Sequence, residues 1–136
     1  MNDEALVDDE MEPDPRLNQM TNAIIGAAIE VHRRLGPGHL ESTYESALAI
    51  EFSLRDIAFK RQLPIAIDYK GHPVGESRLD FLVFDEIILE LKSVETIAPI
   101  HRAIVISYLN ITGLKLSLII NFHVRVLKDG IRRIAR

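Results

Sequence analysis

The 136-residue chain contains no cysteine. This excludes disulfide frameworks, thiolate metal centres and cysteine nucleophiles together, and it fits a reducing compartment. Long hydrophobic runs are missing too. The nearest candidates are strand-sized, such as residues 114–120, which Lys115 interrupts, so no membrane span is expected. The first residues show no signal-peptide pattern, and a cytoplasmic location is expected. The 5 histidines form no H-x-x-x-H pair and no close His/acid helix pattern, which leaves a zinc site unsupported. Ser42, Ser46 and Ser107 lack the glycine elbow of a serine hydrolase. Gly36-Pro37-Gly38 is too short and too interrupted by proline to cradle a nucleotide phosphate.

Basic residues are absent from residues 1–15, which carry seven of the 20 acids. The remaining 13 acids face 16 Lys and Arg, a net +3 for residues 16–136. The chain therefore reads as a disordered acidic tail, 1–15, and one domain, 16–136. A mildly basic body can approach a polyanion, although +3 falls short of the basic stripe of a dedicated nucleic-acid-binding module.

Apolar spacing predicts an amphipathic helix over residues 18–35, through Met20, Ile24, Ala27, Ala28, Val31 and Leu35. Gly36-Pro37-Gly38 must break it. A second helix is expected over about 40–55, then strand patterns at 60–69, 74–84 and 87–92 that form an antiparallel meander. Pro99 suits the first turn of a helix ending at Gly113. That helix is apolar around much of its circumference, so cover on more than one side is expected. Residues 114–122 return as a strand, and 124–127 with Asp129-Gly130 suggest a last short strand and turn. The order is α, α, β, β, β, α, β, β, with no internal repeat.

Two acids and a lysine fall on the meander: Asp80 on its second strand, Glu90 and Lys92 on its third. Alternation puts Glu90 and Lys92 on one face. Whether Asp80 joins them depends on the turn. A two-residue turn of Asp85-Glu86 would set Asp80 against Leu91 and separate the acids, whereas a three-residue loop, 84–86, or an equivalent bulge sets Asp80 across from Glu90. The odd loop is expected. Carboxylates at that distance repel, and a hard cation, Mg²⁺ with Mn²⁺ as the alternative, resolves the conflict. A neighbouring ammonium can orient water or steady negative charge on phosphate, which is equipment for phosphodiester hydrolysis. An ordinary surface Glu/Lys ladder remains the alternative reading of Glu-x-Lys alone.

Gly38-His39-Leu40-Glu41-Ser42-Thr43-Tyr44 reads G-x-x-E-x-x-Y. With Asp80, Glu90-Leu91-Lys92 and the later Tyr108-Leu109, Thr112-Gly113-Leu114-Lys115 and Asn121-Phe122 segments, the chain resembles the GxxExxY family, a compact branch of the PD-(D/E)XK nuclease superfamily. The resemblance implies an α/β (α+β) restriction-endonuclease-like core: an antiparallel meander carrying the acids, a crossover helix, further strands, and N-terminal helices packed on the sheet. It implies a Mg²⁺-dependent nuclease in which Asp80, Glu90 and Glu41 ligate the metal and Lys92 assists the attacking water. Nucleic acid is the implied partner.

Tyr44 lies one helical turn from Glu41 and reads either as a substrate-contacting or orienting group or as a core aromatic. Tyr108 is a further orienting candidate. His101 begins the crossover helix and either faces the acids or caps the helix. Glu41, near a helix start, could simply complement the dipole. Related sequences usually carry a glutamine four residues before the helix tyrosine, where this chain has Ile104; His123 stands where a glycine commonly follows Asn-Phe. An isoleucine offers only packing, so the alternative to a nuclease is a catalytically impaired module that binds nucleic acid or a protein partner, including a second copy of the chain.

Overall fold

The first helix starts earlier than its apolar spacing suggests, because the sequence supplies a cap and a proline just upstream. A computed structural model describes residues 14–136. Helix α1 is Pro15–Leu35, with the Asp14 side chain accepting the Arg16 N–H at 2.9 Å and Pro15 in the first turn. Residues 1–13 of the expected tail lie outside the described residues; Asp14 and Pro15 belong to the helix start. Leu17, Ile24, Ala27, Ala28 and Val31 form its buried stripe, and Gly36, at φ 70°, ends it.

Helix α2 is Glu41–Leu54 and buries Tyr44, Leu48, Ala49 and Phe52. Strands β1 (Phe59–Tyr69), β2 (His72–Val83) and β3 (Ile87–Lys92) follow, then helix α3 (Pro99–Thr112), strand β4 (Leu116–Asn121), a single 3₁₀ turn at Leu127–Gly130, and strand β5 (Ile131–Ala135). The last strand is not the one expected. Residues 124–126 form no strand, and the apolar pair Ile131 and Ile134 supplies the pairing with β4 instead.

The sheet order is β1-β2-β3-β4-β5. All neighbours are antiparallel except β3 and β4, whose parallel pairing requires the α3 crossover. Helices α1 and α2 cover one face, over Phe81, Val83, Leu89, Leu118 and Ile120. Helix α3 covers the other with Val105 and Leu109, over Leu82, Ile88, Ile119 and Ile134. This is the mixed α/β architecture implied by the sequence. The expectation that α3 is covered on several sides is not met: Ile100, Ile104 and Ile111 are 60%, 39% and 42% exposed. Apolar composition sets how many faces a helix can bury, whereas only one faces the sheet here.

Gly130 is required by space. A Cβ there would sit 2.1 Å from the Asn121 carbonyl oxygen, a backbone atom that side-chain motion cannot relieve. Gly130→Ala is expected to destabilise the fold by at least about 2 kcal/mol, seen as a lower urea midpoint at unchanged slope. An unaltered midpoint would contradict this packing.

Candidate active site

β2 and β3 pair through Phe81↔Leu89, Leu82↔Ile88 and Val83↔Ile87. Phe84, Asp85 and Glu86 make the odd loop, closed by the Glu86 N–H on the Val83 carbonyl at 3.1 Å. Phe84 and Asp85 both take positive φ, 57° and 59°. The loop is pinned from outside: the Phe84 N–H reaches the Ala58 carbonyl, Lys60 lies 3.0 Å from Asp85, and Arg16 bonds Glu86. Extending the register by one residue sets Asp80 across from Glu90.

At that point the backbone ladder gives way to side chains. The Asp80 N–H donates to Glu90 Oε2 at 3.1 Å, and the Leu91 N–H donates to Asp80 Oδ2 at 2.8 Å. On the other side of Asp80, β1 is kinked at Gln62, whose φ is 52°. Gln62 is skipped in the β1–β2 register, between Arg61↔Phe81 and Leu63↔Leu79. The kink shows in the packing, since Phe81 joins the α1/α2 core while Leu79, two residues away, joins the α3 core. Asp80 therefore sits where β2 changes face.

Both carboxyls are held above their ordinary pKa. For Asp80 the cause is burial, opposed by the Leu91 hydrogen bond and reinforced by the charges of Glu45 and Glu41. Glu90 is buried and pushed to about 8, first by desolvation and then by the Asp80 charge. Lys92, two residues along the same strand, acts on both in the opposite direction without cancelling burial. Tyr108 reaches this group from α3. Its phenol contacts Ser77, and its pKa is raised by burial and then by Glu90.

The remaining predicted residues divide. Glu41 opens α2 at the rim, exposed, with Oε2 accepting the Ser93 N–H at 3.3 Å. Ser93 Oγ donates to the His39 carbonyl at 2.8 Å, so the end of β3 is tied to the loop before α2. Among the described residues no three His, Asp or Glu side chains are gathered to hold a metal ion. The expected three-carboxylate set is thus drawn together only as far as Asp80 and Glu90. Tyr44 does not approach the site beside Glu41. Its ring is fully buried, stacked on Phe122 at 4.4 Å, and its hydroxyl bridges the Gly36 carbonyl and the His39 N–H. It orients the 36–39 loop and is shut off from any substrate. His101 caps α3, with Nδ1 accepting the Ala98 N–H at 3.0 Å.

Two neighbours have no role assigned from the sequence, although Asn121 lies in a segment that carries the family resemblance. Glu45 adds its charge to Asp80 from the turn after Glu41, and the i, i+4 spacing of the two acids was the available signal. Asn121 is buried opposite Lys92 in the parallel register, with Oδ1 accepting the Val94 N–H and Nδ2 donating to the Val94 carbonyl. It fixes the segment that leaves β3.

A mixed sheet flanked by helices, with apposed carboxylates and a lysine on the end of a central hairpin, is a restriction-endonuclease-like fold. Residues 18–134 match the PD-(D/E)XK nuclease superfamily, and the chain belongs to it. No curated protein and no solved structure matches the chain. Nucleases of this superfamily typically use divalent metals. The donor set fits such an ion: Glu90 is buried and Asp80 half-buried, both offer only oxygen, and the Asp80 charge raises Glu90 while Glu45 and Glu41 raise Asp80, the conflict a hard cation relieves. Asp80 and Glu90 would hold it, with Glu41 the nearby third carboxylate.

The raised Glu90 pKa fixes a pH dependence. The unfolded chain releases this proton near 4.5 and the folded protein near 8, so the associated stability is complete below the lower value and is lost as pH rises through the upper one. Metal-free protein is expected to lose a few kcal/mol between about pH 5 and 9. Glu90→Gln should flatten that slope in urea titrations. Parallel slopes for both proteins would contradict a buried, neutral Glu90.

Proposed function

We propose that the chain is a nuclease of the GxxExxY branch that hydrolyses phosphodiester bonds in nucleic acid with Mg²⁺, or Mn²⁺ in its place. The observation that carries this reading is the Asp80/Glu90 pair, a half-buried and a buried carboxylate that each accept an N–H of the opposing strand. Membership of a nuclease superfamily over residues 18–134 supports it, and the G-x-x-E-x-x-Y run at 38–44 supports the branch. A bound divalent ion supplies positive charge to the phosphate and lowers the pKa of water.

The chain's own groups do the rest. Asp80 and Glu90 bind the ion, and Glu41 completes the carboxylate set on leaving the Ser93 N–H. Lys92 orients the attacking water and offsets negative charge as the water oxygen bonds to phosphorus, gives its proton to solvent, and the bridging P–O bond breaks to an alkoxide that solvent protonates. Tyr108, against Ser77, positions the phosphate beside Glu90. The lack of cysteine is in keeping with work in the cytoplasm.

One observation favours a second reading. Ile104 lies one turn before Tyr108 and is 39% exposed, so α3 presents an apolar side chain on the turn preceding the site. A module that binds nucleic acid or a protein partner without cleaving would tolerate it.

Purified protein with Mg²⁺ or Mn²⁺ is expected to cleave DNA or RNA, and Asp80→Ala or Lys92→Ala to slow cleavage at least about 100-fold. Calorimetry should show Mn²⁺ binding that is lost in Glu90→Ala. Cleavage that survives both substitutions would belong to another site, and absent Mn²⁺ uptake would leave the non-cleaving module standing.

A further inference from the structure

β1 and β2 outrun the sheet. β3 pairs with β2 only through residues 81–83, whereas the β1–β2 ladder continues to Tyr69↔His72. The root of this two-stranded ribbon is packed under α3 through Leu63 and Ile65. From residue 68 to residue 76 every position is exposed. An ordered ribbon that buries nothing gives back little of its conformational entropy cost, so its stability does not explain its presence.

The tip is specific in its chemistry. Lys70 and Gly71 take positive φ, 52° and 84°, the pattern of a type I′ turn, where Asn, Asp or Gly is the favoured first residue. Lysine is therefore held there in a disfavoured conformation. Its ammonium lies 5.5 Å over the Tyr69 ring, which is itself 62% exposed. His72 follows directly. A pairing strand from another chain is a poor occupant, because Pro64 removes an N–H from β1 and a bulge shifts the register between Ile67 and Asp68. A cation, an aromatic face and an imidazole at one tip suit phosphates and bases.

Geometry sets the distance. His72 lies eight residues along β2 from Asp80, about 26 Å at strand rise, or about eight base steps. Only a stiff duplex keeps two contacts that far apart in fixed relation, since its persistence length is about 150 base pairs.

We propose that the β1–β2 ribbon is an arm that rests on double-stranded nucleic acid about eight base pairs from the phosphate bound at the carboxylate pair, with Lys70 on the backbone and Tyr69 against the neighbouring sugar and base edge. The arm rests on the nuclease reading above and adds a substrate class and a minimum length to it.

Lys70→Asn is the informative variant, because asparagine is favoured at positive φ and the thermal midpoint should hold or rise. Anisotropy in metal-free buffer would compare wild type and variant on DNA and RNA duplexes of about 30 base pairs and on G·C duplexes of about 6 base pairs, the latter too short to reach the tip. On the longer duplex the variant is expected to bind about five-fold more weakly, with a salt slope lower by about 1; on the shorter the two should coincide. A DNA-only or RNA-only loss identifies the duplex read. Equal affinity and slope on both long duplexes, or an equal loss on the short ones, would overturn the arm alone. Failure of the wild type to bind any duplex would overturn the arm, and the nuclease reading would fall with it only if single strands with Mg²⁺ or Mn²⁺ were also left uncut.

Discussion

Asp80 and Glu90 lie side by side because each accepts a backbone N–H from the opposite strand, and that exchange is possible only where the regular β2–β3 ladder stops. The kink at Gln62 is the other half of the arrangement, since it leaves Asp80 without a register partner on β1. Two strands thus part around a pair of carboxyls, and the carboxyls replace the missing ladder. Burial then holds both above their ordinary pKa, helped at Glu90 by the Asp80 charge and at Asp80 by Glu45 and Glu41. A structural role alone would be served more cheaply by neutral side chains, which form the same hydrogen bonds without the charge.

The surroundings hold this arrangement in place. Tyr44 ties Gly36 to His39 from inside the α2 core, Ser93 ties His39 and Glu41 to the end of β3, and Asn121 ties Val94 to the end of β4. The last two act on Ser93 and Val94, directly after Lys92, and Tyr44 holds the loop that Ser93 meets. The lysine and Glu41 are consequently positioned by residues that need not touch a substrate.

Much of this was legible in the sequence. The bounds of β3 and α3 follow from alternation and from the Pro99 and Gly113 signals, and the odd loop at 84–86 is the one of two parities that brings Asp80 to Glu90. What escaped notice depends on long-range contact. Tyr44 has the spacing of a site residue, and only the stacking on Phe122, far along the chain, commits it to the core. Residues 124–127 are apolar enough for a strand, but the edge of β4 is taken by Ile131–Ala135. Nothing in Arg61-Gln62-Leu63 announces a positive φ, because glutamine carries no preference for it. The three-carboxylate cluster is what the family resemblance implies, and a resemblance does not say that Glu41 is occupied by the Ser93 N–H.

Helix α1, the first element, leans on segments far along the chain: His32 Nε2 meets the Val124 carbonyl across 92 residues, and Arg133 reaches Asn18 across 115. During synthesis α2 can meet the apolar stripe early, but these two polar ties wait until the residues 92 and 115 positions on have left the ribosome. Closure of the molecule is therefore a late event of high contact order. The carboxylate hairpin, whose partners are 10 and 11 residues apart, can form its local contacts well before the body that shelters it.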